Sequence, residues 1–212
     1  MSDVNQIGAL AMDNLIAGSQ LPVVDMEVEV AEGEGALARG TALGKVLYGA
    51  AVAAAKAGGN TAGSGTISAV TLADGAKAGV WKVRMTAATT FTVVDPDGYT
   101  RGSGVAAAEY SNGIKFTITA GTTPFEVGDG FDITVAAGSG KFRKVNTANK
   151  DGSGRIAAIL ANDLDATSDD VVGVGYVMGE FNEGALVFGG DDSAADHRAA
   201  AGAIGIVFRT VR

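Results

Sequence analysis

Four aspartates, Asp163, Asp165, Asp169 and Asp170, crowd the start of the stretch LANDLDATSDDVVGVGYVMGEFNEGALVF, which runs from Leu160 to Phe188. Carboxylates so spaced can hold Ca²⁺. The EF-hand loop, however, also needs a glycine at its sixth place to bend the chain and a glutamate at its twelfth to close the coordination shell. No frame that starts at one of these aspartates has both at their places, so a solvated acidic turn is expected. Glu180 and Glu183 offer a second chemistry, a carboxylate pair for general acid/base work. Such work depends on a separation that sequence does not give, and hydrophilic surface or interface positions are the expectation. Gly173, Gly175 and Gly179 match a loose dinucleotide spacing, G-x-G-x-x-x-G. There the glycines must open a helix whose N-terminus meets the pyrophosphate, whereas YVMGEFNEGALVF is strand-like. They read as strand glycines at a bulge or close packing.

The single histidine, His197, lies among Asp191, Asp192 and Asp196. One imidazole without a second His or Cys makes neither a metal site nor a triad, so a surface position on a helix is expected. GSG occurs at Ser64, Ser103, Ser139 and Ser153, never within G-x-S-x-G, and Gly44-Lys45 and Gly140-Lys141 lack the upstream glycine of a P-loop. All four read as turns. The residues therefore predict no catalytic site, no metal and no cofactor.

The bulk composition agrees with a folded chain that does not seek phosphates. The net charge is −8 and the first basic residue is Arg39, so no basic arm or stripe exists to displace counterions from nucleic acid. No apolar run reaches the length of a membrane span. The first charged side chain is Asp3, and Asp13 and Asn14 break the apolar runs, so no secretion signal is read and synthesis in the host cytoplasm is expected. The absence of cysteine excludes disulfides and thiolate chemistry. Glycine, at 32 of 212 residues, is about twice its usual share, which implies many tight turns and short strands.

The elements can be read in order. Residues 1–21 follow neither strand nor helix periodicity and end at Gly18 and Pro22, so they read as an extended arm. Val24, Met26, Val28 and Val30 alternate with Asp25, Glu27 and Glu29, the period of a strand with one buried face. TALGKVLYG begins a second strand. AAVAAAKAGGNTAGSG (residues 50–65) has the texture of a linker. Beyond it, TISAVTL, VWKVRMT, TFTVVDPDGY, IKFTITAG and FDITVAAG are short strands separated by turn signals, the phrasing of a small all-β sandwich or barrel. Its expected core is Trp81, Val83, Met85, Phe91, Val93, Phe116, Ile118, Phe131, Ile133 and Val135. RIAAIL and VVGVGYVMGEF are further strands. Ser193 and Asp196 form a capping box for a short helix stopped by Gly202, and IGIVF closes the chain. The fold class is thus mostly β with a short helix, α+β.

Three ordered phrases, RGTALGK (residues 39–45), AAILANDLDAT (157–167) and MGEFNEGAL (178–186), resemble the lambda-type head decoration proteins of tailed bacteriophages. NLIAGSQLPVV is similar to that family's lead-in from arm to first strand. The residues of the resemblance are Arg39, Gly40, Leu43, Gly44, Asp163, Asp165, Gly179, Glu180 and Asn182, in structural roles. It spans about residues 14–49 and 140–209, and where the family has a short connection about 90 residues intervene. The resemblance implies a discontinuous decoration core, 22–49 and 140–212, split by an inserted β-sandwich domain at 50–139, with the arm 1–21 in front. It also implies a homotrimer at local three-fold positions on the outer surface of the virion capsid, bound to the major capsid protein, stabilising the shell without catalysis. In the arm, Leu10, Met12, Leu15, Ile16 and Ala17 are the residues expected to meet the capsid.

Nucleic acid and membrane are not expected partners. Trp81, Tyr99 and Tyr110 are the aromatics available for a weak glycan contact by the inserted domain, with Trp81 expected in the core. A second reading is a surface or carbohydrate-binding module whose β-domain carries the function.

Overall fold

The computed structural model describes residues 14–211. The chain is mostly β, with one α-helix, Ala194–Ala203, among the described residues. It divides into two compact units. One contains the residues up to Leu43 and those from Ile156 onward; the other is Gly44–Arg155.

In the first unit the alternation of residues 24–30 forms the expected strand, Val24–Val30, with Val28 and Val30 buried and Glu27 and Glu29 exposed. It pairs antiparallel with the long strand Val171–Asn182, placing Val28 opposite Gly173 and Met26 opposite Gly175. The glycines of this strand make room for their neighbours. A Cβ on Gly175 would lie 2.8 Å from Val28 Cγ1, and one on Gly173 would lie 2.6 Å from Leu164 Cδ1. Val171–Asn182 also pairs antiparallel with Ile156–Leu160 and parallel with Ile206–Arg209. A parallel neighbour requires a crossover, and the Ala194–Ala203 helix supplies it, packing on Ile206–Arg209 and Ile156–Leu160.

The helix begins as predicted, with the reciprocal capping box of Ser193 and Asp196. Its end differs from the expectation. Gly202 lies inside the helix, Ile204 is the C-cap, and Gly205, at φ +85°, is the left-handed residue that turns the chain into the last strand.

The second unit is built on a five-stranded antiparallel sheet in the order Tyr48–Ala55, Gly130–Ala137, Gly79–Met85, Thr90–Val94, Thr100–Val105. A second, smaller sheet pairs Glu109–Asn112 with Ile114–Thr119 and adds the short strands Thr66–Ile67 and Thr71–Leu72. All ten expected core residues lie in one buried cluster, joined by Tyr110, Ile114 and Phe125. Trp81 is fully buried and its indole N–H donates to the Lys77 carbonyl at 2.9 Å. Gly113, at φ +80°, passes over that ring so closely that a Cβ would fall 2.3 Å from Trp81 Cη2.

Two local readings are corrected. The alanine-rich start of the expected linker is the edge strand Tyr48–Ala55. Pairing with Gly130–Ala137 satisfies its backbone, and Ala51 and Ala53 lie against the core while Val52 stays exposed. Ser103 lies within a strand instead of a turn, because the glycines beside it admit bulky neighbours: a Cβ on Gly104 would meet the Phe91 ring at 2.3 Å.

The remaining linker texture, residues 56–65, is organised by Asp129. This buried carboxylate accepts the backbone N–H groups of Thr61 at 2.6 Å, Glu126 at 3.0 Å and Gly63 at 3.1 Å. The amides of Glu126, Thr61, Gly63 and Ala62 favour the charged form against burial and hold its pKa down at about 2. At the other end of the sheet Gly138 N–H donates to the Leu47 carbonyl at 2.9 Å and Gly140 N–H to the Val46 carbonyl at 3.0 Å.

Candidate functional site

One carboxylate of the stretch singled out in the sequence, Glu180, is buried. Gly179 adopts φ +146°, a conformation that favours glycine, and its N–H donates to the Gly205 carbonyl at 3.1 Å. The next residue, Glu180, is 2% exposed. Its Oε2 accepts the Gln20 N–H at 2.8 Å, and its Oε1 accepts both Nε at 2.8 Å and Nη2 of Arg209. Gly18 runs directly over the carboxylate, where a Cβ would sit 2.2 Å from Oε2. The Arg209 guanidinium, followed by the Gln20 and Leu21 amides, holds the Glu180 carboxyl below the usual glutamate range, against the opposing effect of burial.

One expectation about this pair of glutamates therefore changes. Glu180 is buried instead of lying at the surface, because Arg209 and the Gln20 amide satisfy its charge. Glu183 accepts from the Thr210 hydroxyl at 2.5 Å and pairs with Arg198, and these partners lower its pKa in that order. Each carboxylate is engaged by its own cation, an arrangement that stabilises the charged forms of both. General acid catalysis would instead need one of them held protonated near neutrality.

The root of the N-terminal segment is fastened beside Glu180. Asn182 N–H donates to the Leu15 carbonyl at 2.8 Å, Ala17 N–H donates to the Glu180 carbonyl at 2.9 Å, and Ile16 bridges Phe181 antiparallel. Leu15 is 1% exposed, so its side chain anchors the segment in the unit's own core, whereas Ile16 is 37% exposed and faces outward. Ala17 is half-buried. Leu10 and Met12 lie outside the described residues. Asn182 closes the strand by accepting the Gly184 N–H at 3.1 Å, capping the short 3₁₀ turn Glu183–Ala185.

Of the other residues of the resemblance, Arg39, Gly40, Leu43, Asp163 and Asp165 lie in the same unit. Arg39 N–H donates to Asp163 Oδ1 at 2.7 Å. Gly40, at φ +88°, lies against Ala185, whose carbonyl oxygen would be 2.4 Å from a Cβ, and its N–H donates to Leu160 at 2.9 Å. Leu43 is fully buried. Asp165 Oδ1 accepts the Thr167 hydroxyl at 2.5 Å and the Thr167 N–H at 3.0 Å, which lower its pKa. In the second unit a Cβ on Gly44 would lie 2.0 Å from the Ser153 carbonyl oxygen. The aspartates thus fix turns, and among the described residues no cluster of three or more His, Asp or Glu side chains is arranged to hold a metal ion.

His197 departs from its expected surface position. It is 1% exposed, its Nε2 is 2.8 Å from Asp192 Oδ2, and its ring stacks on Phe188 at 5.2 Å. The neighbouring aspartate lets the imidazole be buried, a pairing that spacing alone does not reveal. Of the three aromatics considered for glycan contact, Trp81 and Tyr110 are in the core and Tyr99 is 69% exposed, with Lys77 Nζ 5.8 Å from its ring centre. Sequence reasoning missed Gln20, Arg209 and Asp129, and gave Gly18 only as the end of the arm. The one available signal was a glycine two residues before Gln20, at the end of the aperiodic arm.

No helix among the described residues is long and apolar enough to cross a membrane. No curated protein matches the chain. Two crystal structures of FlgL from Xanthomonas campestris, in space groups H3 and C2, are similar at 23% identity and a TM-score of 0.33. The matches cover 50% and 47% of this chain, which spans about a third of theirs, 34% and 32%. The profile of the family described as bacteriophage lambda head decoration protein D matches residues 83–206. That span includes the phrases AAILANDLDAT and MGEFNEGAL, while RGTALGK precedes it. With more than half of its length matched, the chain belongs to the bacteriophage lambda head decoration protein D family.

Proposed function

We propose that this chain is a structural protein of a tailed-phage virion that binds the outer surface of the capsid, as a trimer at local three-fold positions, and stabilises the shell. The observation that carries this reading is the family match over residues 83–206. The geometry is compatible with it: the carboxylates that could have done chemistry hold loops and the arm root together.

Attachment is assigned to the N-terminal arm, with Leu10, Met12 and Ile16 offering side chains and the backbone adding to an exposed sheet edge of the major capsid protein. Leu15 and Ala17 serve as the arm's root. A segment without Lys or Arg up to Arg39 binds through apolar and backbone contacts, so moderate salt weakens it little. Three arms per trimer multiply weak contacts, which raises avidity by roughly 10²–10⁴ over a single arm. The β-rich block 50–139 is an insertion that projects from the shell, and any glycan contact falls to Tyr99.

Co-sedimentation of purified protein with undecorated mature capsids tests the proposal. Saturation at one trimer per local three-fold position supports it. Protein left in the supernatant at all concentrations sinks it.

A further inference from the structure

We propose that Glu180 is the positioning residue that fixes the root of the arm, so that capsid attachment depends on a buried carboxylate that itself touches no partner. The inference rests on the reading of the arm as the attachment device. A segment that binds by strand addition must order itself on its target, and every residue already fixed in the free protein reduces that entropic cost. Residues 15–21 are fixed by contacts that converge on one short piece of strand. Leu15 and Ala17 bond to Asn182 and Glu180 through their backbones, and Leu15 is buried.

The Glu180 side chain completes the clamp by gathering Gln20 N–H, Leu21 N–H and the Arg209 guanidinium. Gly18 is shaped to this contact, since any side chain there would displace Oε2. Arg209 enters from the last strand, which lies parallel to Val171–Asn182 with Val207 opposite Glu180. Gln20 and Arg209 are thereby tied at a single charge. The carboxylate holds the stretch from Gly18 to Leu21 against the first unit.

The test compares full-length protein, Glu180→Ala, Glu180→Gln and Arg209→Lys by amide hydrogen exchange, thermal melting and titration onto bare capsids. Exchange at Gln20 and Leu21 should accelerate by roughly tenfold or more in Glu180→Ala, the change expected on losing a hydrogen bond to a charged acceptor. Capsid affinity should fall in step, with the order wild type, Glu180→Gln, Glu180→Ala, because the amide retains one oxygen for the arm. A purely structural role would lower the melting temperature without that ordering. If Glu180→Ala does not fold, Glu180→Gln and Arg209→Lys carry the test, and wild-type affinity in both overturns the inference. Deleting residues 2–13 separates the two layers. Undiminished binding by the deletion overturns the arm reading, whereas lost binding together with wild-type affinity in the Glu180 variants overturns only the anchor.

Discussion

The carboxylate of Asp163 accepts the backbone N–H of Arg39 at 2.7 Å, across 124 positions of sequence. One residue further on, Gly40 N–H reaches the Leu160 carbonyl and Leu160 N–H returns to Thr41. Two of the phrases that carry the family resemblance are thus stitched together. Asp163→Ala should lower the stability of the first unit by about 1 kcal/mol or less, since the bond is exposed, and Asp163→Asn should recover most of the loss. Chemical denaturation of both variants checks the order.

The second unit depends on Trp81 and on the glycine that covers it. Trp81→Ala removes the largest fully buried side chain and its bond to Lys77, at an expected cost of about 3–5 kcal/mol. Gly113→Ala adds no bulk by ordinary standards, yet it meets both a left-handed backbone and a ring contact at 2.3 Å, and should cost about 1–3 kcal/mol. Thermal melting followed by far-UV circular dichroism reports both, since Trp81→Ala leaves no tryptophan to follow.

Asp129 gives that unit an acid dependence of known sign. Its folded pKa of about 2 lies below the ordinary 3.8, so its stabilisation is complete above the unfolded value and is lost as pH falls through the folded one. The melting temperature should drop between about pH 4 and pH 2. Asp129→Asn should start lower at neutral pH and show a smaller drop over the same window. An unchanged pH profile in the variant would remove Asp129 from the account.

How much of this was legible depended on whether side chains alternate. The strands around Trp81, Phe91 and Ile133 were readable because apolar and polar residues exchange places at period two, and all ten expected core residues are buried. Tyr48–Ala55 was not readable, because alanine serves equally on a buried or an exposed face and carries no alternation. His197 and Glu180 were misplaced for a common reason. A buried ionisable group is stable only with its partner, and neither Phe188 and Asp192 for one nor Arg209 and Gln20 for the other is marked by spacing. The Gly205 turn was missed because Gly202 satisfied the same rule three residues earlier.

The bonds of Val46 with Gly140 and Leu47 with Gly138 bring residues 46–47 and 138–140 together. Residues 46–140 expressed alone should unfold cooperatively with β-type circular dichroism. A featureless melt would show that the block borrows its stability from the rest of the chain.

Capsid attachment is the central claim, and electron cryomicroscopy of undecorated mature capsids mixed with the purified protein tests it most directly. The predicted result is trimeric density at the local three-fold positions of the outer surface. Capsids that remain bare under saturating protein, while the same preparation is folded and trimeric, would contradict it.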